Sequence, residues 1–426
     1  MSDSAPLPDR VETLVVGAGL SGLSCARLLE RRGVDVHVVD ASDDVGGRVR
    51  TDELDGFRLD RGFQVLLTAY EEVQGQVDLP RLDPRPFRPG SLVWNGESLQ
   101  KLADPFRQPS DALASVSARV GSLGDKVRVA SLRRGLLSNP SADCWTGPER
   151  STLEELRAVG FSEDFIDRFF RPFLGGVFLE RALETSASLF RYYFRCFAAG
   201  DAVVPAGGMQ RLPELLAAPL EERVTLGAPV DAVRPDGVTL ADGRTVAADT
   251  VVVAVDGTAA SHLLGAPEPA FKGTVTAYFG ASRPPTDEPM LILDGEGAGP
   301  ANHVAVMSAV SPGYAPEGMH LVSVSGVDAA ADDPDAFAEG AVEQLRGWFG
   351  STVDGWRHLR TYHIPHALPR HPAGSLAAPE SPARRDDGLV VCGDYTRFGS
   401  IQGALLSGRH AAETVLAERA GPGGAA

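Results

Sequence analysis

Cysteine is scarce in this 426-residue chain. Its four cysteines, Cys25, Cys144, Cys196 and Cys392, lie far apart and form no CxxC pair, which argues against a zinc site and a disulfide framework. No apolar run approaches the roughly 18 residues that a membrane-spanning helix needs. Residues 1–10 also lack the basic start and the apolar stretch of a secretory signal. We therefore expect reduced thiols in a cytoplasmic protein.

Positive charge is in deficit, because the chain has 40 Lys and Arg against 57 Asp and Glu, for a net charge of −17. An acidic protein is repelled by the phosphate backbone of nucleic acids, so no nucleic-acid partner is expected. The same excess argues against docking on anionic lipid through a basic surface, which leaves at most peripheral membrane contact. The hydrophobic share of 43% is ordinary for a globular protein, and 426 residues exceed one core, so we expect two lobes.

What the sequence does have is a glycine-rich turn near its start. Residues 14–16 predict a buried strand that runs into this turn, and residues 24–32 predict the helix that follows it. In such a motif the first glycine permits a tight turn, the second lets the backbone approach a pyrophosphate, and the third lets the helix pack on the strand. The phosphates then lie at the positive end of the helix. The residues that we expect there are Gly17, Gly19, Leu20, Ser21 and Gly22.

The residues after the turn support a dinucleotide site. A second strand, 34–39, ends in Asp40, where a carboxylate can accept hydrogen bonds from ribose hydroxyls and disfavours the 2′-phosphate of NADP. A glycine motif alone is weak evidence, but strand, turn, helix, strand and acid occur here in the required order. Gly46, Gly47 and Arg48 follow, and a guanidinium suits the same pyrophosphate. An NAD site has no need of that arginine, so the pattern favours FAD.

The C-terminal part of the chain contains a matching segment. Residues 388–392 predict another buried strand, which ends in Gly393 and Asp394. A Gly-Ser-Ile-Gln-Gly-Ala stretch and a helix over residues 405–418 follow. This is a second place at which a nucleotide could meet the end of a strand.

Together these segments resemble the flavin-containing amine oxidase and phytoene desaturase superfamily, which includes monoamine oxidases, protoporphyrinogen oxidases and plant-type carotene desaturases. The resemblance covers most of the chain, and its C-terminal motif has the carotene desaturase form. It implies an α/β fold in which a discontinuous, Rossmann-like FAD-binding lobe carries an inserted α+β substrate lobe. The segments that carry it, besides the N-terminal glycine series, are 59–64, 204–209, 227–230, 393–396 and 403–408.

The resemblance also implies roles for single positions. Gly393 and Asp394 would bind the pyrophosphate and the ribityl chain, Val230 would offer its backbone to the adenine, and Ile401 and Gln402 would lie beside the isoalloxazine. No cysteine lies just before the C-terminal strand, where some amine oxidases attach their flavin, so FAD is expected to be non-covalent. The full set of expected cofactor residues is Gly17, Gly19, Leu20, Ser21, Gly22, Asp40, Gly47, Arg48, Gly62, Phe63, Val230, Gly393, Asp394, Ile401 and Gln402.

The two lobes are expected to alternate along the chain. The tail, residues 421–426, is expected to be flexible. The FAD-binding lobe is expected from residues 10–67, 203–262 and 387–420, and the substrate-binding lobe from residues 68–202 and 263–386.

Aromatic residues are concentrated in the first insertion. Residues 161–197 hold nine Phe and two Tyr, out of 18 Phe and 7 Tyr in the whole chain, and many recur at helical spacing. Such a stripe is typical of a helical core. It is equally compatible with the wall of an apolar substrate cavity, and both interpretations stay open.

Two other motifs are interpreted as structural. Residues 294–299 are glycine-rich, but Pro300 stands where a third glycine would be and a strand pattern follows, so we expect a turn. Four histidines between residues 358 and 371 are interleaved with prolines and an arginine and have no acidic ligand among them. We therefore expect no metal site.

Catalytic side chains cannot be named from the sequence, because in such flavoproteins the cofactor carries the chemistry. Amine oxidases of the resembled superfamily place aromatic side chains in front of the flavin, and one matching position here is Ser400, which weakens that alternative. Lys272 could match a lysine that holds a water near the flavin, but we expect a surface lysine. His366 or Arg370 could touch the substrate.

We therefore expect an FAD-dependent oxidoreductase that removes two electrons from an apolar or amphipathic small molecule by dehydrogenation or desaturation. Its electron acceptor is not identified by the sequence. One alternative is a flavin amine or amino-acid oxidase. Another is a non-catalytic prenyl-binding escort, against which the intact glycine turn, Arg48 and the Gly393–Asp394 pair argue.

Overall fold

The computed structural model describes residues 6–328, 334–376 and 383–419, so the predicted flexible tail lies outside the described residues. The strands are β1 (Arg10–Val16), β2 (Val36–Val39), β3 (Thr51–Leu54), β4 (Phe57–Asp60), β5 (Leu66–Leu67), β6 (Pro84–Pro86), β7 (Gly90–Trp94), β8 (Leu99–Ala103), β9 (Ala202–Pro205), β10 (Val224–Thr225), β11 (Val230–Arg234), β12 (Gly237–Leu240), β13 (Thr245–Val253), β14 (Phe271–Ala281), β15 (Leu291–Asp294), β16 (His303–Val306), β17 (His320–Val327), β18 (Arg357–Pro369) and β19 (Val390–Val391).

The helices connect these strands and cover the sheets. Among the described residues, none combines the length and apolarity required to cross a bilayer. A π-helical turn, Ile166–Phe170, lies between the sixth and seventh helices. The α-helices are α1 (Leu20–Arg31), α2 (Glu71–Gln76), α3 (Ala112–Ser117), α4 (Leu123–Ser138), α5 (Thr152–Val159), α6 (Glu163–Phe165), α7 (Arg171–Phe178), α8 (Ala187–Ala199), α9 (Arg211–Ala217), α10 (Gly257–Leu264), α11 (Met307–Val310), α12 (Pro334–Phe349) and α13 (Ile401–Arg419).

The first sheet is the doubly wound sheet that the sequence predicts. Its strand order is β10-β2-β1-β13-β12-β11, and β19 pairs with β13. Strands β10, β2, β1, β13 and β19 are parallel, whereas β12 and β11 are antiparallel to their neighbours. Every residue of β2 is buried, as is typical of parallel strands covered on both faces. The β1-α1-β2 connection places the glycine turn at the carboxyl edge of the sheet, where such sheets bind ligands.

Two helices begin earlier than the sequence predicts. Helix α1 starts at Leu20 rather than at residue 24, because the glycine turn itself supplies the first helical carbonyl, and the Leu23 amide donates to the Gly19 oxygen at 3.0 Å. Helix α13 starts at Ile401 rather than at residue 405. In both cases small residues in the first turn hide the apolar periodicity. Both helix N-termini therefore lie at the edge of the first sheet.

The second sheet is mostly antiparallel and has the order β18-β14-β17-β16-β15-β7-β8. Only β15 and β7 are parallel neighbours within it. Helix α12 packs on it through Phe337, Ala341 and Leu345. Residues 295–302 connect the antiparallel strands β15 and β16, which confirms the predicted turn. Each seven-stranded sheet draws its strands from one predicted lobe, while the lobe boundaries stay a prediction.

Candidate active site

One cavity of about 1350 Å³ extends from the carboxyl edge of the first sheet to the aromatic helices. Typical ligand pockets occupy roughly 300–1,000 Å³, so this cavity has room for more than one small molecule. Its wall brings together most of the expected cofactor residues from five separate segments. Those that line it are Gly17, Gly19, Leu20, Ser21, Asp40, Gly47, Arg48, Gly62, Phe63, Val230, Gly393, Asp394 and Ile401.

The three glycines of the turn have different structural roles. Gly17 has a φ of +116°, and a Cβ there would approach the Ala254 carbonyl oxygen at 2.6 Å. A Cβ on Gly22 would overlap the Gly17 carbonyl oxygen, so Gly22 serves helix packing and does not line the cavity. A Cβ on Gly19 would meet no protein atom within 4 Å. The chain thus leaves open the space beside Gly19 that a pyrophosphate would fill, and these residues fit a dinucleotide.

The second glycine motif packs directly against the first. The Gly46 amide donates to the Ala18 carbonyl at 2.9 Å, and a Cβ on Gly47 would be 3.4 Å from the Gly19 Cα. Two glycine segments that are separate in the sequence therefore form one wall. A side chain on either would narrow the cavity at the same place.

Asp40 lies at the cavity and also closes its own loop. Its Oδ2 accepts a hydrogen bond from the Ala18 amide at 2.6 Å, and its Oδ1 accepts one from the Ser42 amide at 2.7 Å. A carboxylate oxygen has more than one acceptor position, so ribose hydroxyls can still bind to it. The contacts fix the carboxylate in place before any ligand arrives.

Arg48 and Asp394 form an ion pair in the cavity wall. The Arg48 Nη2 lies 2.5 Å from the Asp394 Oδ1, and its Nη1 donates to the Ala367 carbonyl at 2.9 Å. Burial by itself lowers the pKa of Arg48, but the charge and hydrogen bond of Asp394 outweigh it and raise that pKa. The arginine therefore stays charged. It connects the N-terminal glycine segment to the C-terminal strand.

The N-terminus of helix α13 also faces the cavity. Ser400, Ile401 and Ala404 line it, and the Ser400 hydroxyl accepts a hydrogen bond from the Gly403 amide at 2.9 Å. Gln402 is on another side of the helix, because consecutive helical residues are 100° apart. Its Oε1 instead accepts a hydrogen bond from the Glu72 amide at 2.9 Å. The structure does not bring the Gln402 side chain to the cavity.

The aromatic stripe divides between core and cavity wall. Phe161, Phe170, Phe178 and Phe190 are buried and do not line the cavity. Phe169 and Phe173 stack with ring centroids 5.4 Å apart and an interplanar angle of 7°. Both interpretations left open by the sequence therefore apply, each to different rings. The aromatic residues in the wall are Phe165, Phe169, Phe173, Tyr193, Phe194 and Phe197; we call this part of the cavity the aromatic chamber.

His303 lines the same cavity and was missed by sequence reasoning. Its ring is buried and lies 4.9 Å from the Phe63 ring, and burial lowers its pKa to about 4. Among the described residues, its Nε2 has no hydrogen-bond partner. A single histidine at the start of a strand carries no functional signal in the sequence, so only the three-dimensional contacts identify it.

The neighbours of His303 determine which ring nitrogen carries the proton. Arg181 can only donate, and its Nη1 lies 3.0 Å from the Asn302 Oδ1, which fixes the orientation of that amide. The Asn302 Nδ2 then donates to the Pro172 carbonyl at 2.8 Å and to the His303 Nδ1 at 3.1 Å. His303 is therefore neutral with its proton on Nε2, which is the unpaired atom.

The structure also shows where three other residues that the sequence singled out lie relative to the cavity. Lys272 is not a surface lysine, since its side chain is 9% exposed, its Nζ lies 3.0 Å from the Glu180 Oε1, and it does not line the cavity. Burial lowers its pKa, while the charge of Glu180 opposes that effect. His366 lines the cavity, whereas Arg370 does not and pairs with Glu184 at 3.0 Å. No group of three metal-ligating side chains occurs in the described ranges.

A doubly wound sheet whose glycine turn shares one cavity with an aromatic chamber is the arrangement expected of an oxidoreductase that uses a nucleotide cofactor. The chain belongs to the family of flavin-containing amine oxidoreductases, whose profile matches residues 20–416. The protein is an FAD-dependent oxidoreductase.

Curated relatives come from several branches of this family. The chain is 28% identical to hydroxyneurosporene desaturase of Cereibacter sphaeroides over 96% of its own length and 98% of that protein. It is 28% identical to putrescine oxidase of Kocuria rosea over 57% of its length and 56% of that protein. It is 29% identical to protoporphyrinogen oxidase 2 of Arabidopsis thaliana, over 38% of its length and 31% of that protein.

Solved structures share the fold at low identity. An oxidoreductase from Methanosarcina mazei has a TM-score of 0.73 and 19% identity, covering 94% of this chain and all of that one. A putrescine oxidase bound to putrescine has a TM-score of 0.71 and 18% identity, covering 96% of this chain and 99% of that one. These similarities show a common architecture and leave the substrate open.

Proposed function

We propose that this protein dehydrogenates or desaturates an apolar or amphipathic small molecule with non-covalent FAD, and passes the two electrons to an acceptor that is still unidentified. The observation that carries the proposal is the continuity of one cavity from the glycine turn to the aromatic chamber. FAD, when bound, supplies the two-electron chemistry. A relative that matches this chain along almost its whole length is named hydroxyneurosporene desaturase, which supports the same class.

The chain's own groups hold and orient the reactants. The open backbone at Gly19 and Gly47 would accept the pyrophosphate, and the fixed carboxylate of Asp40 would accept ribose hydroxyls. The positive end of helix α13 at Ile401 favours negative charge that develops near it. The aromatic chamber would exclude water from the substrate.

The charge of the aromatic chamber disfavours a cationic amine as the substrate. Among the described residues at that end of the cavity, Asp104 is the acidic side chain, and its Oδ2 pairs with Arg133 at 3.4 Å. Arg88, Arg107 and Lys126 also line the cavity there. An ammonium group would find no unpaired carboxylate. His303 is neutral, because burial lowers its pKa to about 4, so it adds no negative charge that would hold an ammonium group.

Non-covalent attachment is supported by the position of the thiols. All four cysteines are buried, and none lines the cavity. Burial raises the pKa of Cys392 to about 12, so this residue stays a thiol rather than a nucleophilic thiolate. The same buried, unpaired thiols suit a reducing, cytoplasmic location. Acid precipitation should release the yellow chromophore into the supernatant, and a yellow pellet would contradict the proposal.

The substrate class can be tested by anaerobic stopped-flow reduction of the purified holoenzyme. We expect isoprenoid-like substrates to bleach the visible flavin band faster than benzylamine or common amino acids. Each rate is measured at equal enzyme-bound flavin, so that differences in cofactor content do not enter. Rapid bleaching by a simple amine, with isoprenoids inert, would favour an amine oxidase instead. A purified protein without any flavin would favour the non-catalytic escort.

A further inference from the structure

Gly399 is bound by side chains at both of its backbone polar groups. Its amide donates a hydrogen bond to the His371 Nε2 at 3.1 Å, and its carbonyl accepts one from the Tyr193 hydroxyl at 2.8 Å. Both side chains are buried. A buried polar group that loses its partner is costly, so these contacts fix the Gly399 backbone from two directions. We call these two hydrogen bonds the Gly399 bonds.

The residues that follow Gly399 form part of the cavity wall. Gly399 and Ser400 line the cavity, and helix α13 begins at the next residue, Ile401. The Ala404 amide donates to the Ser400 carbonyl at 2.9 Å, so the first helical turn continues directly from this segment. A shift of the Gly399 backbone would therefore move the end of α13 that faces the cavity.

Strand β18 packs against the same backbone. A Cβ on Gly399 would lie 2.7 Å from the Leu368 Cδ1 and 2.9 Å from the Pro369 Cδ, and both residues are at the end of β18. The backbone thus has no room to move toward the strand. If one of the Gly399 bonds is lost, we expect the segment to relax away from β18.

Both of the Gly399 bonds are connected to helix α8. Tyr193 belongs to α8, and the amide of Ser186, which caps that helix, donates to the His371 carbonyl at 2.8 Å. The same helix carries Phe194 and Phe197 of the aromatic chamber. One helix therefore forms part of the chamber wall and also fixes the start of α13.

The bond to the Gly399 amide requires a neutral His371. Because the amide donates to Nε2, that nitrogen carries the lone pair and the proton is on Nδ1. Burial lowers the pKa of His371 to about 4; the charge of Asp394 acts to raise it, and the charge of Lys272 acts to lower it. The form that accepts the hydrogen bond is therefore the form present at neutral pH.

We propose that His371 and Tyr193 are positioning residues, which fix the Gly399 backbone so that the start of α13 keeps its place beside bound FAD. The positive end of a helix favours negative charge, and this effect falls off within one turn, so a small displacement weakens it. His371 does not line the cavity and would act only through Gly399. The effect on FAD rests on the proposed function, whereas the effect on the backbone does not.

The effect on the backbone is tested by amide hydrogen exchange of the holoenzyme over residues 397–406. His371→Leu removes the acceptor of one of the Gly399 bonds, and Tyr193→Phe removes the donor of the other. Each should raise exchange in this segment roughly 2- to 10-fold, as expected for one lost hydrogen bond. His371→Gln should exchange nearly like the wild type, because its amide oxygen can accept from the Gly399 amide.

The effect on FAD is tested by the two-electron reduction potential of the bound flavin, measured anaerobically against a reference dye. His371→Leu and Tyr193→Phe should lower the equilibrium constant for reduction roughly 2- to 5-fold, the size of a helix-end contribution. For a two-electron couple this is at most about 20 mV. His371→Gln should restore the wild-type potential, which a loss of stability alone would not explain.

The matched control is Tyr192→Phe. Tyr192 is the preceding residue of α8 and is also buried, but its hydroxyl donates to Glu71 and it does not line the cavity. This variant loses a similar hydrogen bond and should match the wild type in both measurements. If His371→Leu does not fold, Tyr193→Phe decides the test, because it removes a single oxygen atom.

Three results would overturn the proposal. They are unchanged exchange in Tyr193→Phe, raised exchange without any change in potential, and an equal change of both in Tyr192→Phe. A purified protein without flavin would instead refute the proposed function, and exchange of the flavin-free chain would still show whether the Gly399 bonds fix the start of α13.

Discussion

The walls at the two ends of the cavity are formed by different parts of the chain, backbone at one end and aromatic side chains at the other. At the edge of the first sheet the wall is backbone and a fixed ion pair, with Gly19 and Gly47 in contact and Arg48 bound to Asp394. At the other end the wall is made of packed aromatic rings, such as Phe173 of α7 and Phe197 of α8, whose centroids lie 5.3 Å apart at an interplanar angle of 57°. An atom added to the backbone wall at Gly19 would occupy the space that a pyrophosphate would fill, whereas a wall of side chains can lose one and keep its shape. We therefore expect the first end to control whether the cofactor binds, and the second to control what binds beside it.

The largest effect is expected from Gly19→Val. The new side chain would meet no protein atom and would project into the cavity, so the fold should be kept while FAD binding falls by on the order of tenfold or more. The measurement is the ratio of flavin to protein absorbance after purification. Gly347→Val is the matched control, because its Cβ also meets nothing within 4 Å but lies on α12. A normal flavin content in Gly19→Val would refute the assignment of this wall.

The aromatic chamber can be distinguished from the core by two phenylalanines that lie three residues apart in the sequence and both contact the Phe169 ring. Phe170→Ala removes a fully buried ring and should lower the free energy of unfolding by about 3–5 kcal/mol. Phe173→Ala removes a ring of the cavity wall, so it should raise KM roughly 2- to 10-fold, as expected for one aromatic contact, and retain FAD. Denaturant unfolding and steady-state kinetics of both variants decide the matter. A reversed pattern would place the chamber elsewhere.

The ion pair at the first end should make a smaller contribution. Arg48→Met leaves Asp394 with a side chain only 6% exposed and without its arginine. Because the Arg48 side chain is 35% exposed, we expect Arg48→Met to lower the free energy of unfolding by about 2–3 kcal/mol. This is below the usual cost of breaking a buried ion pair. Asp394→Asn in the Arg48→Met background should recover part of this lost free energy of unfolding. The check is denaturant unfolding of the flavin-free forms, and an additive double variant would mean that the pair is not coupled.

The last test concerns a buried carboxylate that does not line the cavity. Asp60 in β4 accepts hydrogen bonds from Thr51, the Met209 amide and Tyr314, and burial raises its pKa to about 6. Since this folded-state pKa lies above the unfolded value of about 3.9, Asp60 contributes stability at low pH that is lost as pH rises through about 6.

The variant Asp60→Asn measures this contribution directly. Thermal unfolding of both proteins between pH 4 and pH 8 should show the wild type losing Tm relative to the variant as pH rises, with most of the change between about pH 4 and pH 6. Above that range the difference should be constant. A wild type that gains Tm relative to the variant across the same range would contradict the raised pKa.

Sequence reasoning identified residues that share one cavity wall where that wall is built from closely spaced backbone. The glycines, Asp40 and Arg48 were placed from their order along the chain, because each acts on the strand end that it follows. It failed for side chains whose surroundings come from distant segments. Gln402 turns toward α2, and Lys272 is buried against Glu180.

His303 and the aromatic stripe show the same limit. The proton on His303 depends on Arg181, which lies 121 residues from Asn302 in the chain. Spacing predicted that the phenylalanines form a stripe on helices, but Phe169 and Phe170 are adjacent in sequence and face the cavity and the core respectively. A step of one residue along the helix separates the cavity wall from the core. Helical spacing alone does not reveal which face of the helix packs against the rest of the protein.

The pairing of α1 with α13 has a consequence for how the protein is made. Ser24 donates to the Leu405 carbonyl across 381 residues, and Gly408 packs against the Ser21 backbone. During synthesis the ribosome releases α1 early, but its partner helix emerges only near the end of translation. We therefore expect that only a nearly finished chain captures flavin. Because a ligand that binds only the folded state stabilises it by mass action, the supply of flavin in the cell becomes a control on how much folded enzyme accumulates.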